Sequence, residues 1–311
     1  MLLVLTHSQD FTTDCVLDRL DDIDVFRFNM DLWKDYQWEV NQNTFTLSDP
    51  MNRICREEET HAVYLRKLFF NPPVIDLPAG GSEESWTRGE VEELWLGIRD
   101  LAMETGRLAL IHPSPRGRWS KIRQMRVASR FFRVPDWSAY RADSCPLAGS
   151  IVAKSFGQRH LGEGSLLMVR EVDGTKLSPK FPWLVQQRVP ATHDVTVACV
   201  GREIFAYELS RDLFEGEDCR YPTTLQDLRW TPCSLTATET AAIQGFMEAT
   251  GYTFGRLDFL RDADGLWFLE INPNGQFAWL DPDGEHGLID AVADAIRSVH
   301  RRHQSAAHSL A

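Results

Sequence analysis

The chain is poor in the features that would place it in a membrane, on nucleic acid or outside the cell. No apolar run approaches the roughly 20 residues that span a bilayer, and the opening Met1 to Leu5 is too short, and lacks the charged leader, for a signal peptide. The expectation is a cytosolic protein without a membrane contact. Six cysteines (Cys15, Cys55, Cys145, Cys199, Cys219 and Cys233) are scattered with no C-x-x-C pair, so neither a zinc site nor a disulfide framework is indicated and free thiols are expected. Basic residues are in deficit, 33 Lys and Arg against 45 Asp and Glu for a net charge of −12, which argues against general nucleic-acid binding. Internal repeats and low-complexity tracts are absent as well.

What remains is a chain of 311 residues, 43% hydrophobic and 25% charged, long enough for two or three domains with a sizeable core. One segment runs against the acidic balance: Arg116, Arg118, Lys121, Arg123, Arg126, Arg130 and Arg133 cluster together and could receive phosphates or an acidic peptide.

Met1 to Leu5 reads as a buried strand, followed by a helix through Leu20 and a second strand at Val25 to Phe28, which is a β-α-β opening. Strands follow at Thr44 to Leu47 and Ala62 to Leu65, a loop at Asp76 to Ser85, a helix over Glu90 to Glu104 and a strand at Leu108 to Ile111. Beyond the Pro-rich stretch after His112, a helix spans about Ser120 to Phe131 and a strand at Ser150 to Lys154 delivers Lys154. A β-rich region covers Leu184 to Val189, Asp194 to Val200 and Glu203 to Tyr207, then come a helix at Thr238 to Thr250, a hairpin, and an amphipathic helix from Leu288 to Arg302 with a frayed tail from His303.

The hairpin carries the most chemistry. Leu257 to Leu260 and Leu266 to Ile271 flank the turn-rich Asp262-Ala-Asp-Gly265. Strand alternation puts Glu270 and Asn272 on one face with Leu266 and Phe268, and Asp258 joins that face only in the right register, because a one-residue slip inverts it. A three-residue loop, Ala263-Asp264-Gly265 with Gly265 left-handed, supplies that register, whereas a two-residue loop does not. Two carboxylates and an amide together suit Mg²⁺, which takes a few protein oxygens and completes its shell with water and phosphate. The alternative is a surface hairpin with solvated acids, although an apolar strand is a costly place for an unpaired carboxylate.

In order along the chain, Lys121, Lys154, Gln186-Gln187-Arg-Val189, Asp258, Glu270 and Asn272 resemble the signature of the ATP-grasp superfamily. The opening Val4 to Phe11, the run Val63-Tyr-Leu-Arg-Lys67 and Glu270-Ile-Asn-Pro-Asn-Gly-Gln-Phe277 resemble more narrowly the microviridin-type, or graspetide, ligases that mature ribosomal peptides. The resemblance implies an α/β (α+β) ATP-grasp fold with a Rossmann-like N-terminal pre-ATP-grasp domain at 1–115, a central subdomain at 116–187 and a C-terminal subdomain at 188–311. It implies ATP and Mg²⁺ as cofactors. Asp258, Glu270 and Asn272 would hold the metal, Lys121 and Lys154 the phosphates, Gln186, Gln187 and Val189 the adenine, and Asp194 the ribose unless it caps its strand. Arg220 would stand near an acyl phosphate, with Lys154 as its catalytic companion.

The implied reaction activates an Asp or Glu side chain of a precursor peptide, leader and core, as an acyl phosphate that a Ser or Thr hydroxyl or Lys amine then attacks to close a lactone or lactam. A homodimer is implied too. The alternative within the superfamily is an intermolecular ligase that adds an amino acid to a carboxyl group. Plain alternatives stand beside the residue roles: a solvated arginine-rich helix face for Lys121, a solvent-facing strand end for Lys154, a surface loop for Arg220, local hydrogen bonding for His7, Ser8 and Arg66. One departure is visible. Thr196 stands where the family has an arginine, so a cation is missing there or comes from Arg188, Arg202 or Arg256. Loss of that cation also leaves open a nucleotide-binding module without chemistry.

Overall fold

The computed structural model describes residues 1–66, 82–110, 119–156, 160–161, 165–166, 169–214 and 229–310. The chain divides into two compact units, the first comprising 1–117, 252–254 and 274–311 and the second 118–251 and 255–273. Residues 274–311 group with the first unit by their contacts.

The first unit opens with β1 (Leu2–Thr6), α1 (Phe11–Leu17) and β2 (Val25–Asn29), then β3 (Gln37–Val40), β4 (Phe45–Ser48), β5 (Ile54–Arg56), β6 (Ala62–Leu65), α2 (Ser82–Glu104) and β7 (Leu108–Ala109). Its main sheet is parallel, ordered β2-β1-β6-β7. All five residues of β1 are buried, as befits a central parallel strand covered on both faces. Leu3, Leu5, Phe26, Phe28 and Val63 pack with Val91, Trp95 and Ile98 of α2. β3, β4 and β5 form a separate antiparallel sheet. Helix α2 begins at Ser82, inside the loop expected from Asp76 to Ser85; no proline interrupts it from there to Glu104.

The second unit contains α3 (Lys121–Ala128), β8 (Trp137–Tyr140), β9 (Ile151–Lys154), the small hairpin β10 (His160–Leu161) and β11 (Ser165–Leu166), β12 (Arg170–Val172), β13 (Trp183–Gln187), β14 (His193–Val200), β15 (Glu203–Ser210), β16 (Thr231–Pro232), α4 (Ala237–Thr250), β17 (Phe254–Asp262) and β18 (Gly265–Asn272). These strands make a four-stranded sheet, β12-β9-β13-β8, and a five-stranded sheet, β16-β15-β14-β17-β18. Helix α4 starts in a capping box between Thr236 and Glu239 and stops at Gly251 in the left-handed conformation, φ 72°. Phe131, Phe132, Phe246, Phe259 and Phe268 stack and cross edge to face beneath the larger sheet.

The chain then closes with α5 (Leu288–Leu310), which packs on α1 and β6. It runs through the tail expected to fray from His303: residues 303–310 include Ala306 and Ala307, no glycine and no proline, so nothing stops the helix. No helix among the described residues is long and apolar enough to cross a membrane. The five described cysteines are free, and burial raises the Cys55 thiol to about 11 and Cys199 to about 12, which makes them poor nucleophiles.

Candidate functional site

The hairpin β17–β18 brings Asp258 opposite Glu270 and Arg256 opposite Asn272. It does so by a different device from the three-residue loop. Asp262 pairs with Gly265, so the loop is the two residues Ala263 and Asp264, with Gly265 at a positive φ of 119° closing it. That register, continued, would set Asp258 against Leu269. Instead the ladder shifts between Asp258 and Phe259: Phe259 pairs with Phe268 and Asp258 with Glu270, leaving Leu269 as the extra residue of a β-bulge.

The bulge also corrects which residues share a face. Leu266 and Phe268 are buried, then the parity changes and Ile271 is buried, while Glu270 and Asn272 are only half-buried. Glu270 and Asn272 therefore lie opposite to Leu266 and Phe268, on the face of Arg256 and Asp258, whose neighbours Leu257 and Phe259 enter the core. The run Leu266-Trp-Phe-Leu269 is apolar throughout, so the skip is visible only in the burial of 266, 268 and 271.

β18 is an edge strand, and the segment of α3 satisfies its outward N–H groups. The Gln124 side chain accepts from Ile271 N–H at 3.0 Å and donates to Trp119 carbonyl at 2.9 Å, and Phe268 N–H donates to Arg133 carbonyl at 2.8 Å. This docking puts Lys121, one turn before Gln124, against Glu270, with Nζ 3.2 Å from Oε2. Gln124 has no place in the sequence signature, yet it sets the position of Lys121.

Burial disfavours the charged form of Glu270, but Lys121, Lys154 and Arg256 outweigh it and hold the carboxyl below its usual range. The three cations therefore act on one carboxylate. Both oxygens of Asp258 are engaged: Thr196 Oγ1 donates to Oδ1 at 2.8 Å and Arg256 Nη2 to Oδ2 at 3.1 Å. The threonine that departs from the family pattern is thus a hydrogen-bond donor to Asp258, and the cation beside that carboxylate is Arg256. Arg188 sits instead near Glu171 at 3.8 Å, and Arg202 is exposed. A cavity of roughly 150 Å³ opens over Lys121, Glu270 and Asn272, walled by Trp119 and Phe156. That volume suits a phosphate group rather than an entire nucleotide.

The other expected site residues fall in several places. Gln186 is buried, 1% exposed, and its amide donates to Met125 Sδ at 3.1 Å, so its side chain serves the contact between β13 and α3. Gln187 is exposed and its N–H donates to Asp136 carbonyl at 2.7 Å; Val189 carbonyl accepts from Ala191 N–H at 2.8 Å. Asp194 pairs with Arg211 at 2.8 Å. Lys154 ends β9, opposite Leu184. Arg220 and Cys219 lie outside the described residues.

In the first unit, Arg66 is 2% exposed and reaches far along the chain rather than locally: Nη1 donates to Asn274 Oδ1 at 2.7 Å and Nη2 to Gly275 carbonyl at 3.2 Å. Thr12 donates to Gln276. Within the first unit, Asn274, Gly275 and Gln276 are therefore held by Arg66 and Thr12. His7 Nδ1 accepts from Gln9 N–H at 3.1 Å, and Ser8 bonds Asp31 through backbone and hydroxyl at 2.8 and 2.5 Å.

Among the described residues no three His, Cys, Asp or Glu side chains gather closely enough to hold a metal by themselves. Two carboxylates in cross-strand register with an amide alongside still match the oxygen donors of Mg²⁺, which leaves the rest of its shell to water and phosphate.

No family model and no curated protein matches the chain. Solved structures do. The macrocyclase MdnC of Microcystis aeruginosa MRC, bound with its precursor peptide MdnA, is 20% identical with a TM-score of 0.77, covering 96% of this chain and 99% of that one. A RiPP-associated ATP-grasp ligase of Chryseobacterium gregarium, in complex with ADP and a leader and core peptide, is 20% identical with a TM-score of 0.78, covering 96% of both chains. The D-alanine–D-alanine ligase of Bacillus anthracis is more distant, 10% identical with a TM-score of 0.52 over 97% of this chain and 98% of that one. The chain has the ATP-grasp fold over nearly its whole length, and its architecture resembles that of the ATP-grasp ligases of ribosomal precursor peptides.

Proposed function

We propose that this protein is an ATP- and Mg²⁺-dependent ligase that cross-links side chains of a ribosomally made precursor peptide. The observation that carries the proposal is the face of β17 and β18 where Asp258 stands opposite Glu270 and Asn272 beside Arg256, with Lys121 brought onto Glu270. A carboxylate resists attack by a hydroxyl or amine, so it must first gain a leaving group. Transfer of the γ-phosphoryl group of ATP to an Asp or Glu side chain supplies one and releases ADP. Attack by a Ser or Thr hydroxyl or a Lys amine then expels phosphate and closes the ring, with a net loss of one water from the peptide.

Asp258, Glu270 and Asn272 would hold the metal, which supplies charge neutralisation between phosphate oxygens when bound. Lys121 and Lys154 bind phosphate, and each is already drawn to the site by Glu270. Arg256, paired with Asp258, is the cation that answers for Thr196 and offsets the charge that develops on the transferred group. The two sheets of the second unit, at residues 137–187 and 193–272, serve as the central and C-terminal ATP-grasp subdomains. The adenine would lie along Gln187 to Val189, and the role at the acyl phosphate would fall to Arg220. A homodimer belongs to the same reading, and light scattering of the purified chain tests it.

The deciding experiment is mass spectrometry of the peptide encoded beside this gene after incubation with the protein, ATP and Mg²⁺. Loss of one water per ring with matched ADP release is expected. A mass gain equal to an amino acid would instead identify the intermolecular ligase, and an unchanged mass in every such peptide would overturn both.

A further inference from the structure

We propose that the exposed arginine stripe of α3 is a docking surface for an acidic, extended segment of the peptide substrate. Resting on the peptide-ligase reading, it adds a surface that the active-site chemistry does not require. Arg123, Arg126 and Arg130 follow each other at i, i+3 and i+7 along α3 and the turn after it, and all three are exposed. That spacing places them within one stripe of a helix. The opposite side of the same helix is buried through Gln124, Met125 and Ala128.

Among the described residues no carboxylate pairs with any of the three, in a chain where acids outnumber bases 45 to 33. Other arginines of the second unit do find acids: Arg133 pairs with Asp262, Arg211 with Asp194, Arg256 with Asp258 and Arg261 with Glu208. The contact made by the Arg123 guanidinium is with an aromatic face, 3.8 Å from the centroid of the Trp119 ring. A cation held this way keeps its N–H groups directed sideways for an anion.

Charge and length select the occupant. The stripe spans about 10 Å at 1.5 Å per residue, which matches a short anionic segment and not a long polyanion. The rise from Arg126 to Arg130 is about 6 Å, and alternate side chains of an extended peptide lie about 7 Å apart on one side. Carboxylates two positions apart on an extended segment therefore meet Arg126 and Arg130, with Arg123 about 4.5 Å further along the stripe. The stripe begins two residues beyond Lys121, so a segment lying on it leads to the helix end that lines the candidate phosphate cavity.

Fluorescence anisotropy tests this with the full chain and a labelled eight-residue peptide of alternating Glu and Ser, compared with its Gln counterpart. The Glu peptide should bind at least tenfold more tightly, weaken as salt is raised, and lose at least tenfold in affinity in the Arg126→Gln/Arg130→Gln double variant. The Arg126→Lys/Arg130→Lys variant should recover most of that loss. Equal binding of the two peptides, or an unchanged affinity in the Gln variant with unaltered circular dichroism, would show a merely solvated face and overturn the proposal. So would tighter, equally arginine-dependent binding of a single-stranded oligonucleotide of the same charge. The water-loss assay run in parallel separates the two readings: persistence of water loss without arginine-dependent peptide binding sinks the stripe alone, and arginine-dependent binding without water loss or ADP release sinks the ligase.

Discussion

Glu270 is held ionised by three cations although burial works against it. Replacing it by Ala removes an anionic ligand and leaves Lys121, which is 24% exposed, without its partner. We expect Glu270→Ala to abolish ADP release and to weaken Mg²⁺-dependent nucleotide binding at least tenfold by calorimetry. An active variant would place the metal elsewhere. Asp262 is a second carboxylate with a defined task. It accepts from Trp267 Nε1 at 2.6 Å, from Asp264 N–H at 2.8 Å and from Arg133 at 3.0 Å, which closes the two-residue turn. Burial alone would raise this carboxyl, but those donors outweigh it and lower it. A depressed folded value means that the carboxylate stabilises the fold above its unfolded pKa of about 3.9 and stops doing so as pH falls through the folded value. The melting-temperature gap between the native chain and Asp262→Asn should therefore be constant above about pH 5 and close progressively below about pH 4. A gap independent of pH would remove Asp262 from this role.

The bulge at Leu269 is what converts a hairpin into a site. Deleting Leu269 makes the ladder regular yet leaves Asp258 opposite Glu270, because the extra residue is the one removed. Inserting one Ala between Leu269 and Glu270 moves Glu270 and Asn272 out of step with Asp258. Mg²⁺-dependent nucleotide binding should survive the deletion and vanish with the insertion, each variant checked for native circular dichroism; the reverse ranking would refute the register assignment. At the start of β17, a Cβ on Gly255 would lie 2.7 Å from Ile271 Cδ1 and 3.1 Å from its Cγ1. Gly255→Ala must push Ile271, itself in the strand that carries Glu270. A destabilisation of about 1–3 kcal/mol is expected in urea unfolding.

Across the whole molecule, the decisive feature is that the first unit is assembled from residues 1–117, 252–254 and 274–311. Arg66 holds the start of the last segment. Its guanidinium is buried against Phe277, 5.1 Å from the ring centroid, and 3.9 Å from Asp10 Oδ2, besides bonding Asn274 and Gly275. Arg66→Met removes the bonds to Asn274 and Gly275 and takes a cation from beside the buried Asp10, so a loss of about 3–5 kcal/mol in stability is expected. Unfolding within 1 kcal/mol of the native chain would contradict this estimate.

Much of this was legible beforehand. Strand β1, the helix over Ala237–Thr250 and the hairpin follow from runs of apolar residues and from caps, which are local. The set Lys121, Lys154, Asp258, Glu270 and Asn272 was named from a family resemblance, and of it the structure shows Asp258 opposite Glu270 and Lys121 against Glu270. The rest depends on contacts between residues distant in sequence. A bulge is a choice between two strands, so the face of Glu270 was decided by pairing with β17 and by burial of Ile271 rather than Leu269. Gln124 gained its purpose only because β18 is an edge whose N–H groups need partners. Arg66 and Asn274, 208 residues apart, could not be matched by local pattern. Composition and periodicity pointed to an α/β molecule, and the roles given to the oxygen ligands and to the lysines came from the resemblance to a known family. Tertiary structure decided which of those side chains share a face, because strand register and edge satisfaction are properties of pairs of elements and not of either one.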